Sequence, residues 1–231
     1  RARRPLWKAY KRRELFFDDD FARLLKHVRQ EADGPVELVL NGDIFDFDNI
    51  VQLPVDPEGE VDWLAKLRGL GSQSWMSTYK VGCIIDDHHE WFRAVGDFAR
   101  AGNQVVFVVG NHDTELHWPA VQQRIRKGLG LGEGAAGNEN VRFCAWFYIS
   151  DDTFISHGHQ YDMYCTHKNP MHPFIRIRGE RSVRIPFGDL CERYLLNGMG
   201  YFNPHSHENF IMSALEYVRF FLKYMLRTQP L

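Results

Sequence analysis

The sequence predicts an α/β protein, because short apolar runs alternate with stretches of helical periodicity. The first run, Val36 to Leu40, ends at Asn41-Gly42, as a buried strand ends at a turn. The second run, residues 105–109, ends at another polar turn, after which Pro119 begins a short helix. Strand, turn and helix therefore follow one another twice, which favours an open α/β sheet flanked by helices.

Composition and charge are those of an ordinary globular protein. Of the 231 residues, 44% are apolar and 25% charged, which excludes a disordered chain and fits one domain with an attached subdomain or two domains. The formal charge of -2 gives no general attraction to nucleic acid, so we expect no stable nucleic-acid partner.

Three further features predict a cytoplasmic protein. No apolar run reaches the roughly 18 residues that span a bilayer. Residues 1–13 are basic and lack the apolar stretch of a signal peptide. The four cysteines are widely separated and form no disulfide framework.

The helices follow from periodicity and from glycine and proline. Acidic residues at 18–20 precede apolar positions at helical spacing, which predicts a helix that ends near Gly34-Pro35. Residues 47–86 contain several breaks and predict only loops and short helices. Another helix is expected from Asp86 to Gly102.

The last third of the chain differs from the rest. Two strands are expected over residues 141–149 and 153–156. After Tyr161, strands give way to proline-broken segments and a closing helix. The apolar face of that helix consists of Ile211, Leu215, Val218, Leu222 and Met225.

Three predicted strands end in loops that begin with metal-binding or proton-transferring side chains. The loops read G-D-I-F-D at 42–46, G-N-H-D at 110–113 and H-G-H at 157–159. Strands of an open α/β sheet place such loops at one edge, where sites form. Carboxylate, amide and imidazole groups suit Mn, Fe, Zn or Mg, and a two-metal hydrolytic centre fits this set of donors.

These three loops resemble the ordered motifs of the calcineurin-like metallophosphoesterase superfamily, and the resemblance spans roughly residues 20–160. It implies a β-sandwich flanked by helices and two divalent metal ions, with Mn favoured and Fe, Zn or Mg as alternatives. It also implies hydrolysis of a phosphomonoester or phosphodiester by a metal-bridging hydroxide.

The resemblance assigns a role to each side chain of the three loops. Asp43 would bridge both metals, Asn111 and His157 would bind the second metal, and His112 would be the catalytic residue beside the leaving oxygen. The remaining candidates would orient a ligand or the imidazole, or line the pocket: Asp46, Asp113 and His159. We read His88, His89 and His117 as structural or solvated.

Two motifs of the superfamily are missing. No D-x-H precedes Asp43, and no G-H-x-H follows His157. His205 and His207 are weak substitutes, because proline stands in place of the glycine and no strand precedes them. We expect the chain to be a fragment in which residues 1–160 are the metallophosphoesterase core and residues 161–231 a helical cap or insertion.

The aromatic and basic residues of the expected cap suit a phosphate ester with an apolar part, including a nucleotide-linked or lipid-linked one. Contact of the cap with a membrane surface and formation of a homodimer stay open, and so does a peripheral membrane location. The alternative function is a non-catalytic binding or scaffold protein with the same fold and an incomplete metal site.

Overall fold

A computed structural model describes residues 17–177 and 179–196, together with four helical residues near the end of the chain, Leu215, Val218, Arg219 and Leu222. The basic segment at 1–13, the candidates His205 and His207, and the rest of the closing helix lie outside the described residues.

A parallel three-stranded sheet lies at the centre of the fold. Strands β1 (Glu37–Asn41), β2 (Gln104–Val108) and β3 (Val141–Cys144) are hydrogen-bonded in that order. Residues 105–108 of β2 are fully buried, which explains why this strand is apolar throughout rather than alternating. The sheet confirms the predicted α/β class.

Helices connect and flank these strands. Their bounds are α1 (Asp18–Glu31), α2 (Trp63–Arg68), α3 (Ser74–Asp87), α4 (His89–Arg100) and α5 (Pro119–Gly128). Short 3-10 turns cover Thr114–His117, Asn138–Asn140 and His159–Tyr161. The helices predicted from residue 18, before residue 102 and from Pro119 are all present, whereas the 14-residue α3 lies where only loops and short helices were expected.

The core packs aromatic rings between the sheet and the helices. Phe45 stacks on Phe92 of α4 with ring centroids 5.7 Å apart, and on Phe107 of β2 at 6.1 Å. Burial of a ring of this kind stabilises the fold by about 1.5–3 kcal/mol. Because Phe45 follows Asp43 by two residues, its packing also anchors the loop that carries Asp43.

A buried ion pair crosses this core. The ammonium group of Lys80 on α3 is fully buried and lies 2.7 Å from Oε1 of Glu115. Glu115 belongs to the 3-10 turn that follows the G-N-H-D loop. The pair therefore ties α3 to the loop that carries His112.

Two antiparallel hairpins complete the described structure: β4 (Phe147–Ser150) with β5 (Thr153–Ser156), and β6 (Phe174–Ile177) with β7 (Glu180–Val183). The expectation of one strand over residues 141–149 is wrong, because that segment divides at residues 145–146 between the parallel sheet and the first hairpin. The expectation that strands cease after Tyr161 is also wrong, because the second hairpin lies there.

The second hairpin packs on the core. The backbone carbonyl of Ser72 accepts hydrogen bonds from the Val183 amide at 3.2 Å and the Trp118 indole at 2.9 Å. Phe174 lies against Trp118 with ring centroids 4.6 Å apart. The hairpin leads into helix α6 (Phe187–Cys191) and a turn of π-helix (Glu192–Leu196). The sandwich, the helical cap and the division at residue 160 stay predictions.

All four cysteines are free thiols in this structure. Within the part of the chain that the structure describes, no helix combines the length and the apolar character needed to cross a membrane.

Candidate metal and catalytic site

The three predicted loops meet where β1, β2 and β5 end. Each strand ends one or two residues before the loop that carries its polar side chains, and β1 and β2 are parallel neighbours. The carboxyl ends of parallel neighbours lie at the same edge of a sheet, which places the first two loops together. The third loop joins them through hydrogen bonds between Asn41 and the residues at 156–157.

The backbone at Asp43 has the left-handed conformation that favours glycine. Its φ is 51°, next to Gly42 at 75°. The loop from β2 passes very close: a Cβ placed on Gly110 would lie 2.2 Å from Oδ1 and 2.4 Å from the backbone nitrogen of Asp43. Only glycine at position 110 permits this approach.

Asp43 and His157 form a side-chain contact between the first and third loops. Nε2 of His157 lies 3.1 Å from Oδ2 of Asp43, and Nδ1 of His157 donates to the carbonyl of Asn41 at 2.9 Å. The hydrogen bond with Asp43 raises the pKa of His157 to about 9. Burial alone would raise the pKa of Asp43, but the hydrogen bond with His157 and the nearby charge of His112 lower it.

Asp113 connects the loops at residues 42–46 and 110–113 through its buried carboxylate. It is fully buried, and its carboxylate accepts hydrogen bonds from the backbone amides of Gly110 at 2.6 Å and Ile44 at 2.8 Å. Burial, with the nearby negative charge of Asp43, raises the pKa of Asp113 to about 7. Asp113 therefore braces the loop backbones.

His112 is fixed by its backbone and surrounded by carboxylates. Its amide donates to Oδ1 of Asp43 at 3.0 Å, and its carbonyl accepts from the Phe47 amide at 3.3 Å. Nδ1 lies 3.2 Å from Oε2 of Glu192 and 3.4 Å from Oδ1 of Asp189. Burial alone would lower the pKa of His112, but the charges of Asp46, Asp189 and Glu192 raise it.

Asn111 is buried beside the same carboxylates. Its Nδ2 donates to Oδ1 of Asp189 at 3.1 Å, which turns the amide oxygen of Asn111 away from that carboxylate. Asp189 is 1% exposed, and burial raises its pKa to about 6.

His159 lies in a row of histidine rings next to the site. Its ring centroid is 5.4 Å from that of His157 and 5.6 Å from that of His167. Burial lowers the pKa of His159 to about 4 and that of His167 to about 3, so both rings are neutral at pH 7. His117 bridges the carbonyls of residues 114 and 170, a structural role.

Sequence reasoning missed two carboxylates of this site. Asp189 and Glu192 belong to the segment after the second hairpin, within the residues expected to form a cap. Together with Asp46 and His112, Glu192 forms a group whose ligand atoms lie within 4.8 Å of one another, a set that could hold a metal ion. The only local signal was an Asp and a Glu three residues apart after Pro186, which is common on helix surfaces.

A cavity of about 860 Å³ opens beside these groups. Its lining includes the polar side chains of Asp43, Asp46, Asn111 and His112. The lining also includes apolar side chains, among them Phe17, Phe21, Ile50, Ile84 and Trp91. The site therefore combines charged groups with a hydrophobic surface.

The geometry of Asp43 and His157 fits a shared divalent metal. Bonds of about 2.1 Å from one ion place two of its ligand atoms about 3.0–3.4 Å apart, and Oδ2 and Nε2 are 3.1 Å apart. Because Nδ1 donates its proton to a backbone carbonyl, a neutral His157 turns the lone pair of Nε2 toward the carboxylate. Two acceptor atoms at this distance require a cation or a proton between them.

Comparison with known proteins agrees with this geometry. The calcineurin-like phosphoesterase family model matches residues 16–189, a range that contains every predicted site residue and Asp189. No curated protein and no solved structure gives a significant match to the chain. Because the match covers more than half of the sequence and the matched loops converge on one group of metal-binding side chains, the chain belongs to the calcineurin-like phosphoesterase family.

Proposed function

We propose that this protein is a metal-dependent phosphoesterase that hydrolyses a phosphomonoester or phosphodiester. The observation that carries the proposal is the contact between Asp43 and His157, two metal-binding side chains from separate loops at the distance expected of ligands to one ion. Membership of the phosphoesterase family supports the same reaction.

Asp43, His157 and Asn111 would hold the metal, and Asp43 would serve both ions. When bound, a divalent metal polarises phosphoryl oxygens and makes water a stronger nucleophile at neutral pH. We propose two ions and Mn as the native metal, with Fe, Zn or Mg as alternatives, because carboxylate, amide and imidazole donors suit these metals.

His112 would act on the substrate. Its backbone is fixed by Asp43 and Phe47, and its ring borders the cavity, so Nε2 can contact the phosphoryl group and donate a proton to the leaving oxygen. General-acid catalysis of this kind contributes about 10²–10⁴-fold to a rate. The surrounding carboxylates favour the protonated ring that this role needs.

The lining of the cavity supports a substrate with a phosphate ester and an apolar part. The polar side chains of the lining would receive the phosphate, and the apolar side chains, Trp91 among them, would receive the remainder. Nucleotide-linked and lipid-linked esters both have this combination. We also propose that residues 1–160 form the catalytic core and residues 161–231 a cap that contributes to the substrate pocket.

The test combines metal content with hydrolysis of a bis-aryl phosphate. The chain is dialysed against Mn or Zn and analysed for bound metal, beside Asp43→Asn and His112→Asn. We expect Asp43→Asn to lose metal and turnover together, and His112→Asn to keep its metal and lose about 10²–10⁴-fold in turnover. The exposed Asp33→Asn variant is the matched control and should behave as the parent chain.

The same experiment separates the enzyme from a non-catalytic scaffold. Metal binding without turnover, unchanged by His112→Asn, would favour a binding protein that keeps the fold. Full metal content in Asp43→Asn would show that the ligand assignment is wrong.

A further inference from the structure

We propose that Glu192 is a positioning residue for His112: its carboxylate holds the proton of the imidazole on Nδ1 and so directs Nε2 toward the substrate. The inference rests on the proposed catalytic role of His112. It concerns a residue from the segment after the second hairpin, outside the three loops that carry the other site residues.

The ring of His112 has its closest polar neighbours at Nδ1. That nitrogen is buried, with Oε2 of Glu192 at 3.2 Å and Oδ1 of Asp189 at 3.4 Å. These are ion-pair contacts without the alignment of a full hydrogen bond, an arrangement common in free enzymes that tightens when substrate binds. Glu192 supplies the nearer oxygen.

Asn49 determines which oxygen of Glu192 faces the ring. Its Nδ2 donates to Oε1 of Glu192 at 3.1 Å, and its backbone amide donates to Oδ1 of Asp46, also at 3.1 Å. One oxygen of Asp46 and one oxygen of Glu192 therefore each accept a hydrogen bond from Asn49. The other oxygen of Glu192, Oε2, is the one that lies 3.2 Å from Nδ1 of His112.

The backbone next to Glu192 is anchored to the core. The buried guanidinium of Arg193 donates to the carbonyls of Gly69 and Leu70, the former at 2.9 Å, and lies 3.9 Å from a carboxylate oxygen of Asp48. A residue that positions a catalytic group must itself be held, and Arg193 meets that requirement.

The consequence concerns the two ring nitrogens of His112. A proton held on Nδ1 leaves Nε2 as the atom that exchanges a proton with substrate. Loss of the Nδ1 partner lets the neutral ring place its proton on Nε2 instead, and in enzymes with a similar carboxylate–histidine pair the wrong tautomer is costly.

The experiment compares Glu192→Ala and Glu192→Gln with the exposed control Glu180→Ala, all in the full chain. Glutamine has nearly the same shape, which keeps the test valid if alanine prevents folding. Its amide oxygen would accept from Asn49, so its NH₂ group would face His112 and the Nδ1 proton would be lost.

Three measurements follow on each variant. The first is ¹⁵N NMR of histidine-labelled protein without metal, at a pH where the ring is neutral, with His112 assigned by its loss in His112→Asn. The second is bound Mn after dialysis. The third is kcat and KM with a bis-aryl phosphate.

We expect both Glu192 variants to move the proton of His112 from Nδ1 to Nε2, to keep their Mn, and to lower kcat by about 10–100-fold with little change in KM. Glu180→Ala should change none of these. An unchanged tautomer would overturn the proposal, and loss of Mn from either variant would make Glu192 a metal ligand instead. If the parent chain has no turnover, the proposed function fails, whereas the NMR comparison still decides the role of Glu192.

Discussion

Replacing Asp113 tests whether this buried carboxylate holds the loops of the site together. Its two oxygens accept hydrogen bonds from the amides of Gly110 and Ile44, one from each loop, and the residue is fully buried. Asp113→Ala removes both acceptors and leaves two buried N–H groups without a partner. Asp113→Asn keeps one acceptor oxygen and loses the other.

The expected magnitude follows from counting these N–H groups. A buried donor left without a partner costs about 1–3 kcal/mol. Loss of these hydrogen bonds should therefore lower the free energy of unfolding by about 2–6 kcal/mol in the alanine variant and by about half of that in the asparagine variant. Either change also removes the cost of burying a carboxylate, a cost that the pKa of about 7 reflects. Because that relief is common to both variants, the difference between them, about 1–3 kcal/mol, is the quantity to test.

Urea unfolding in EDTA measures this difference without a contribution from bound metal. We expect Asp113→Ala to have the lower free energy of unfolding, and the exposed control Asp56→Ala to stay within about 0.5 kcal/mol of the parent chain. Equal stability of the alanine and asparagine variants would refute the argument that Asp113 acts through its two hydrogen bonds.

Three other changes have expected outcomes. Gly110→Ala should displace Asp43 and weaken Mn binding about 10–100-fold by calorimetry, because the new Cβ would overlap the carboxylate and backbone of Asp43. Lys80→Met should lower the free energy of unfolding by about 3–5 kcal/mol in urea, because Glu115 is left charged and buried. Below pH 6.5 the unfolded chain protonates His167 but the folded chain, with the pKa lowered to about 3, does not. The free energy of unfolding should therefore decrease as the pH is lowered from about 6.5 to about 3, by up to about 1.4 kcal/mol per pH unit. His167→Asn should make this pH dependence less steep.

Each of these changes has a matched control at a position where the side chain is exposed or where an added Cβ meets no neighbour. Gly132→Ala should bind Mn normally, since nothing lies within 4 Å of its added Cβ. Lys127→Met and His27→Asn alter exposed side chains and should leave the free energy of unfolding at pH 7 unchanged. Normal Mn binding by Gly110→Ala would contradict the argument from the close approach to Asp43. A loss below about 1 kcal/mol in Lys80→Met would contradict the argument from the buried ion pair. An unaltered pH dependence of stability in His167→Asn would contradict the argument from its lowered pKa.

Local sequence pattern was sufficient for the elements whose signals are local. The continuous apolar run of β2 and the Pro119 start of α5 are present where the sequence placed them. Helix α3 was missed because Gly82 and several β-branched residues give it low helix propensity, and burial of seven of its residues stabilises it instead. The run from Val141 to Ile149 carries no sign that the chain changes sheets within it.

The site shows the same limit. The proximity of Asp43, His112 and His157 could be predicted because each follows a strand within a few residues, whereas their roles stay predictions. Glu192 was not predictable, since its meaning depends on a hairpin and an anchored Arg193 that return the chain to the site from far along the sequence. Contacts of this kind arise from tertiary structure alone.

The buried pair of Lys80 and Glu115 also bears on how the protein opens. The loop with His112 cannot loosen by itself, because its movement would separate two charges within the core. The backbone amides of that loop should therefore exchange with solvent deuterium at the same slow rate as the amides of α3. We expect α3 and the loop with His112 to form one cooperative unit, so that heat or denaturant that unfolds this loop also unfolds the core around Lys80.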